Sequence, residues 1–143
     1  MNGDVPAAVL GATGLVGAEL IRLIAAHPRF ELEAAVSASQ SGTAISDSFP
    51  HLAPVVGRRL FSAPDAWLGD IPDGSRLAVF SAAPHGAAAA LIDGFLDVAA
   101  DKRLETHVVD ASADVRFADQ ATSEAIYGRA GAPARLAQCS AGL

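Results

Sequence analysis

Three glycines, spaced Gly11-x-x-Gly14-x-x-Gly17, stand where a short apolar run gives way to a helix-like one. Glycine at such points permits a tight turn, lets backbone approach a pyrophosphate, and lets a helix pack closely on its strand. The helix start adds free N–H groups and a partial positive charge, so the chemistry suggested is dinucleotide binding at Gly11, Thr13, Gly14, Leu15, Val16 and Gly17. The spacing departs from the commoner G-x-G-x-x-G, and the same residues also read as a turn that holds no ligand.

Sites selective for NAD place Asp or Glu at the end of the second strand, roughly 20 residues beyond the glycines, to accept from the ribose 2′-hydroxyl. Here that place reads Val36-Ser37-Ala38-Ser39-Gln40-Ser41. Ser37 and Ser39 can donate to a 2′-phosphate and no acid stands there to repel it, so NADP is expected over NAD. No arginine stands there either, and the segment equally reads as a Ser-rich surface loop.

Two further segments carry polar chemistry. Ala83-Pro84-His85-Gly86 follows a buried run and opens an apolar helix, so the backbone at Ala83 and Pro84 would face the reactive half of a dinucleotide. The alternative is a strand-to-helix turn with an incidental histidine. Ser112, Asp114 and Arg116 cluster after another apolar run, where a guanidinium could grip a carboxylate or phosphate with two bonds. On this reading Ser112 and Arg116 bind substrate, although charge pattern alone slightly favours a surface pair of Asp114 with Arg116.

Other chemistries are excluded by what the chain holds. A short-chain dehydrogenase needs Tyr with Lys four residues later, but the only Tyr is Tyr127 and the only Lys is Lys102. Lys102 is followed by Arg103, so there is no P-loop G-K-[ST] either. One cysteine, Cys139, cannot form an internal disulfide, and with His27, His51, His85 and His107 it gives no zinc spacing, so no metal is expected.

These segments need elements to position them. Val5–Leu10 reads as a strand, Leu15–Ile24 as a helix ending before His27-Pro28, and about 32–37 as a second strand. Residues 38–58 read as a long loop without period, and Pro64–Leu68 as a short helix. Leu77–Ser81 reads as a buried strand, Gly86–Ala100 as an apolar helix, and His107–Asp110 as a strand, with weaker periodicity from Phe117 onward. This alternation predicts an α/β fold: Rossmann-like, doubly wound, a mostly parallel sheet with helices on both faces. Ligands in such sheets lie beyond the carboxyl ends of the strands, which is where all four segments fall.

The chain has 143 residues, the size of one domain, with 51% apolar and 18% charged residues, which excludes a wholly disordered segment. A formal charge of −6 argues against nucleic acid as a partner, and no apolar run reaches the roughly 20 residues that cross a bilayer. Asp4 stands where a secretory signal would be basic, so the expected location is cytoplasmic.

Taken in order, the segments resemble the amino-terminal, NADP-binding part of N-acetyl-gamma-glutamyl-phosphate reductases, within the semialdehyde dehydrogenase group. The resemblance rests on Val9–Arg22 with its glycines, His27-Pro28, Phe49-Pro50-His51-Leu52, Pro84-His85-Gly86, Val109–Arg116 and Tyr127-Gly128. Departures are Ala111 and Val115, where relatives carry larger apolar residues, and the absence of basic residues in 37–41. The resemblance implies NADPH-dependent reduction of an acyl phosphate to an aldehyde in arginine biosynthesis, through a thioester on a cysteine. That cysteine lies in a Pro-Gly-Cys-Tyr motif after a Gly-Leu-Pro-Glu segment, with a general-base His from a second domain. Residues 1–143 are therefore expected to be an NAD(P)-binding domain truncated before the catalytic and dimerisation domain, with the nucleophile beyond Leu143. Cys139 lacks the Pro-Gly before it and the Tyr after it, and reads as structural. The implied partners are a small acyl-phosphate substrate and, at full length, further copies of the chain. A different class remains open: a non-catalytic NADP-binding sensor or regulatory module.

Overall fold

A computed structural model describes residues 5–114, 116–117, 119–128 and 140. Four strands form one sheet in the order β2-β1-β3-β4, comprising β1 (Val5–Leu10), β2 (Phe30–Val36), β3 (Arg76–Ser81) and β4 (Glu105–Asp110). All three pairings are parallel. From β1 the chain goes first to one side and then to the other, so a topological switch lies between β1 and β3.

Strand alternation divides the core between the two faces of the sheet. Ala7, Val9 and Ala35 point to one face, where they meet Ile21 and Ile24 of helix α1 (Leu15–Ala26) and Ile45, Leu52, Val56 and Phe61 beyond β2. Ala8, Leu10, Val36 and Val79 point to the other, against Trp67, Leu68 and Ile71 and against Phe95 and Ala99 of the long helix over Ala88–Asp101. Fully burying a side chain such as Ile21 or Phe61 contributes about 1.5–3 kcal/mol, so each face is held by several such residues.

Helix α1 follows the predicted pattern. Gly17, Ala18, Ile21 and Ile24 recur on one buried side, and the helix stops at extended His27, because Pro28 disfavours helical geometry in the residue before it. The other boundaries shift more. Residues 38–58, read as a loop, contain helix α2 (Ile45–Ser48), a 3-10 turn over Pro50–Leu52 and helix α3 (Ala53–Val56). Each is too short to show a helical period, and their apolar residues serve the core instead. Pro64–Leu68 forms consecutive turns rather than the expected helix, with Trp67 and Leu68 turned into the sheet face. Helix α4 (Ala88–Asp101) starts two residues after Gly86, whose φ of +88° departs from helical geometry.

In the segment of weak periodicity, α5 (Gln120–Tyr127) is started locally by Asp119, whose side chain accepts from the Thr122 N–H at 2.7 Å. Hydrogen bonds from the Thr122 side chain and backbone hold the Asp119 carboxyl below its usual range. Cys139 and Val115 lie outside the described residues.

Candidate functional site

The carboxyl ends of β1 and β2 open onto a cleft of about 410 Å³. One wall carries Leu10, Gly11, Thr13 and the β2 end Val36-Ser37-Ala38-Ser39, while the other carries Pro64, Asp65, Trp67 and the α4 residues Leu91, Gly94 and Val98. The volume suits a small-molecule or cofactor fragment.

The three glycines stand there for different reasons. Gly11 has φ +67°, and a Cβ on it would lie 2.6 Å from Ala83 Cα, so the β1 turn and the β3 turn touch at the topological switch. A Cβ on Gly17 would lie 2.7 Å from the Ala12 carbonyl, because here the first turn of α1 rests on the strand-to-helix turn. Gly14 is different: its φ of −89° is ordinary, and a Cβ there would meet nothing within 4 Å. Nothing among the described residues requires glycine at 14, which stands at the N-cap position of α1 with open space around it. That terminus has no side-chain cap and no acid in its first turn, so its N–H groups are left for an anion.

At the β2 end the serines are partly engaged with each other. Ser37 is buried, its Oγ accepts from the Gln40 N–H at 3.2 Å, and it lies 3.4 Å from Ser39 Oγ. Ser37 therefore shapes the turn, while Ser39 is exposed beside it. The Ser37–Ser41 segment is free of acids, but the fold brings Asp65 into the cleft from the opposite wall. Sequence reasoning missed Asp65, Trp67, Leu91 and Gly94 as lining of this cleft, and no local pattern displays them: the fold alone brings them there, with Leu91 and Val98 left exposed on a helix otherwise packed on the sheet.

Beyond the cleft, the β3 and β4 turns are tied together. The Asp114 carboxylate, 5% exposed, accepts from Gly86 N–H at 2.7 and 3.0 Å and from Ala89 N–H at 3.2 Å. In return Ala113 N–H donates to His85 Nδ1 at 2.8 Å. Ser112 Oγ donates to Asp110 at 2.6 Å and accepts from Asp114 N–H at 3.1 Å. Arg116 is exposed, and no ion pair to Asp114 is formed among the described residues. The carboxylate accepts instead from the N–H groups at the start of α4. Lys102 is remote from all of this, paired with Asp73 at 3.4 Å after the far end of α4.

No helix among the described residues is long and apolar enough to cross a membrane, and no three His, Cys, Asp or Glu there are placed to hold a metal.

Comparison with known proteins adds three findings. Residues 6–130 match the family model described as semialdehyde dehydrogenase, NAD binding domain. N-acetyl-gamma-glutamyl-phosphate reductases are similar: that of Pseudomonas aeruginosa is 39% identical over 136 residues, 94% of this chain and 37% of the relative. That of Thermobifida fusca is 41% identical over 85% of this chain and 32% of its own length, and that of Neisseria gonorrhoeae is 37% identical over 100% and 38%. The chain thus spans about a third of the length of these relatives. Among solved structures, aspartate semialdehyde dehydrogenase with NADP from Candida albicans superposes with a TM-score of 0.62. It is 24% identical, over 82% of this chain and 32% of that one, a likeness of fold.

Proposed function

Because this chain belongs to the semialdehyde dehydrogenase NAD-binding family, we propose that it is the cofactor-binding part of an NADPH-dependent reductase. The reaction would convert an acyl phosphate, N-acetyl-gamma-glutamyl phosphate, to its semialdehyde in arginine biosynthesis. We place the whole protein in the cytoplasm as a homo-oligomer. The observation that carries the reading is Gly14, a glycine with ordinary backbone angles and open space at its Cβ position, standing at an uncapped helix start.

The residues present fit a phosphorylated dinucleotide. The Gly11–Gly17 turn, with Thr13 and the amides of Leu15 and Val16, would receive the pyrophosphate. Ser37 and Ser39 would meet the ribose end, with Trp67 and Leu91 enclosing the apolar cleft. The Ala83-Pro84 backbone would face the nicotinamide. Once bound, the cofactor supplies the hydride. Arg116 would hold an anionic group of the substrate with two parallel bonds, and Ser112, its proton committed to Asp110, would shape the loop beside it. A thiolate must attack the acyl phosphate and expel phosphate before reduction. We place that nucleophile in a Pro-Gly-Cys-Tyr motif, which residues 1–143 do not contain.

The test is NADP-dependent oxidation of the semialdehyde in the presence of phosphate, measured on this chain and on a longer form of the protein. Turnover should be confined to the longer form, survive Cys139→Ser, and fall at least about tenfold with Arg116→Lys, which keeps charge but loses the fork. Turnover by the short chain that disappears with Cys139→Ser would overturn the assignment of the nucleophile. An inactive longer form would overturn the reaction.

A further inference from the structure

Helix α4 begins without a cap of its own: Ala87 precedes it, and no side chain within the helix start accepts from its first amides. Their acceptor comes from the far side of the β4 strand. Asp114, 25 to 28 residues away in sequence, takes the N–H groups of Gly86 and Ala89 on a buried carboxylate. A charged acceptor at a helix start is favoured both by the N–H groups and by the helix dipole. The return bond, from Ala113 N–H to His85 Nδ1, crosses the same gap in the opposite direction. Ser112 completes the loop by joining Asp110 to the Asp114 backbone.

The two turns so joined hold, on one side, the Ala83-Pro84 backbone, against which Gly11 packs, and on the other, Arg116, two residues beyond Asp114. We propose that Asp114 and His85 are positioning residues: they latch the β3–α4 turn to the β4 loop and so fix the spacing between the backbone facing the hydride donor and the guanidinium facing the substrate. Neither needs to touch a reacting atom. The proposal rests on the function proposed above for the site's use, while the latch itself is a set of hydrogen bonds measurable without it. Asp114 and His85 do not themselves line the cleft at the β1 and β2 ends, although α4 supplies one of its walls, so loosening the latch should harm turnover more than cofactor affinity.

The experiment uses the full-length protein and the variants Asp114→Asn, His85→Ala and His85→Asn, with amide exchange at Gly86, Ala89 and Ala113 read beside steady-state kinetics. Asp114→Asn keeps the size but turns an amide NH2 toward an N–H. It should speed exchange at Gly86 and Ala89 at least about tenfold, a loss typical of one charge-assisted hydrogen bond. It should also lower kcat at least about tenfold while leaving the NADPH dissociation constant within about threefold, since each tenfold is a single bond's worth of free energy. His85→Ala should speed exchange at Ala113 and lower kcat. His85→Asn, whose amide oxygen can stand near the Nδ1 position, should recover much of both.

Three results would overturn the latch: unchanged exchange at these amides, kcat unchanged while only thermal stability falls, or His85→Asn as impaired as His85→Ala. If the wild-type protein neither binds NADPH nor turns over, the proposed function fails instead. The exchange measurements then decide the latch by themselves.

Discussion

Gly11→Ala and Gly17→Ala are expected to lose much of the domain's stability, whereas Gly14→Ala is expected to lose little. At Gly11 an alanine must adopt φ +67°, which costs roughly 1–2 kcal/mol, and place its Cβ 2.6 Å from the Ala83 backbone. At Gly17 the Cβ would lie 2.7 Å from the Ala12 carbonyl, and backbone cannot step aside as a flexible side chain can. Overpacking of this kind costs about 1–3 kcal/mol, so Gly17→Ala should fall in that range and Gly11→Ala at roughly 2–5 kcal/mol, against total stabilities of about 5–15. Gly14 has open space and an unstrained backbone, and its replacement should cost about 1 kcal/mol or less, the difference between glycine and alanine at a helix start. Urea denaturation followed by the fluorescence of Trp67, the single tryptophan, measures all three. Equal loss at 11 and 14 would show that the close contact between the β1 and β3 turns is absent.

Gly14→Val turns the same geometry into a binding prediction. A branched side chain there would fill the space before the α1 amides without meeting the protein, so the fold should survive and the ligand should be displaced. Affinity for both NADPH and NADH should fall about 50-fold, corresponding to a penalty of roughly 2.3 kcal/mol. Because the pyrophosphate is common to the two cofactors, their ratio should not change. Isothermal titration checks it, and unchanged affinity would remove the glycine turn from the site.

The sequence made the frame legible where periodicity is long or alternation is strict. Val5–Leu10, the amphipathic α1 and the Val109–Asp110 strand end stand where the residue pattern puts them, and the glycines fall at the strand-to-helix turn that gives them meaning. The pattern fails where elements are shorter than their own period. Ile45–Ser48 and Ala53–Val56 form single turns whose apolar residues are fixed by the core, and Pro64–Leu68 stays non-helical while it buries Trp67. Of the residues proposed for the site, Gly14, Ser39 and Arg116 could be named from local context. Asp65 reaches the cleft, and Asp114 reaches the start of α4, only through tertiary folding. The charge pattern suggested that Asp114 pairs with Arg116. The structure instead gives the carboxylate to the backbone N–H groups of Gly86 and Ala89, donors that no sequence pattern displays.

The central claim is that the cleft at the β1 and β2 ends takes a phosphorylated dinucleotide, and Trp67 in its wall supplies the probe. Titrating the chain with NADPH and with NADH, while following Trp67 quenching and with Gly14→Val as the paired variant, tests it most directly. Saturable quenching by both, tighter with NADPH and weakened for both by Gly14→Val, is the predicted result. Equal or tighter binding of NADH would contradict the reading of the acid-free Ser37–Ser41 turn, and no saturable quenching by either would contradict the site.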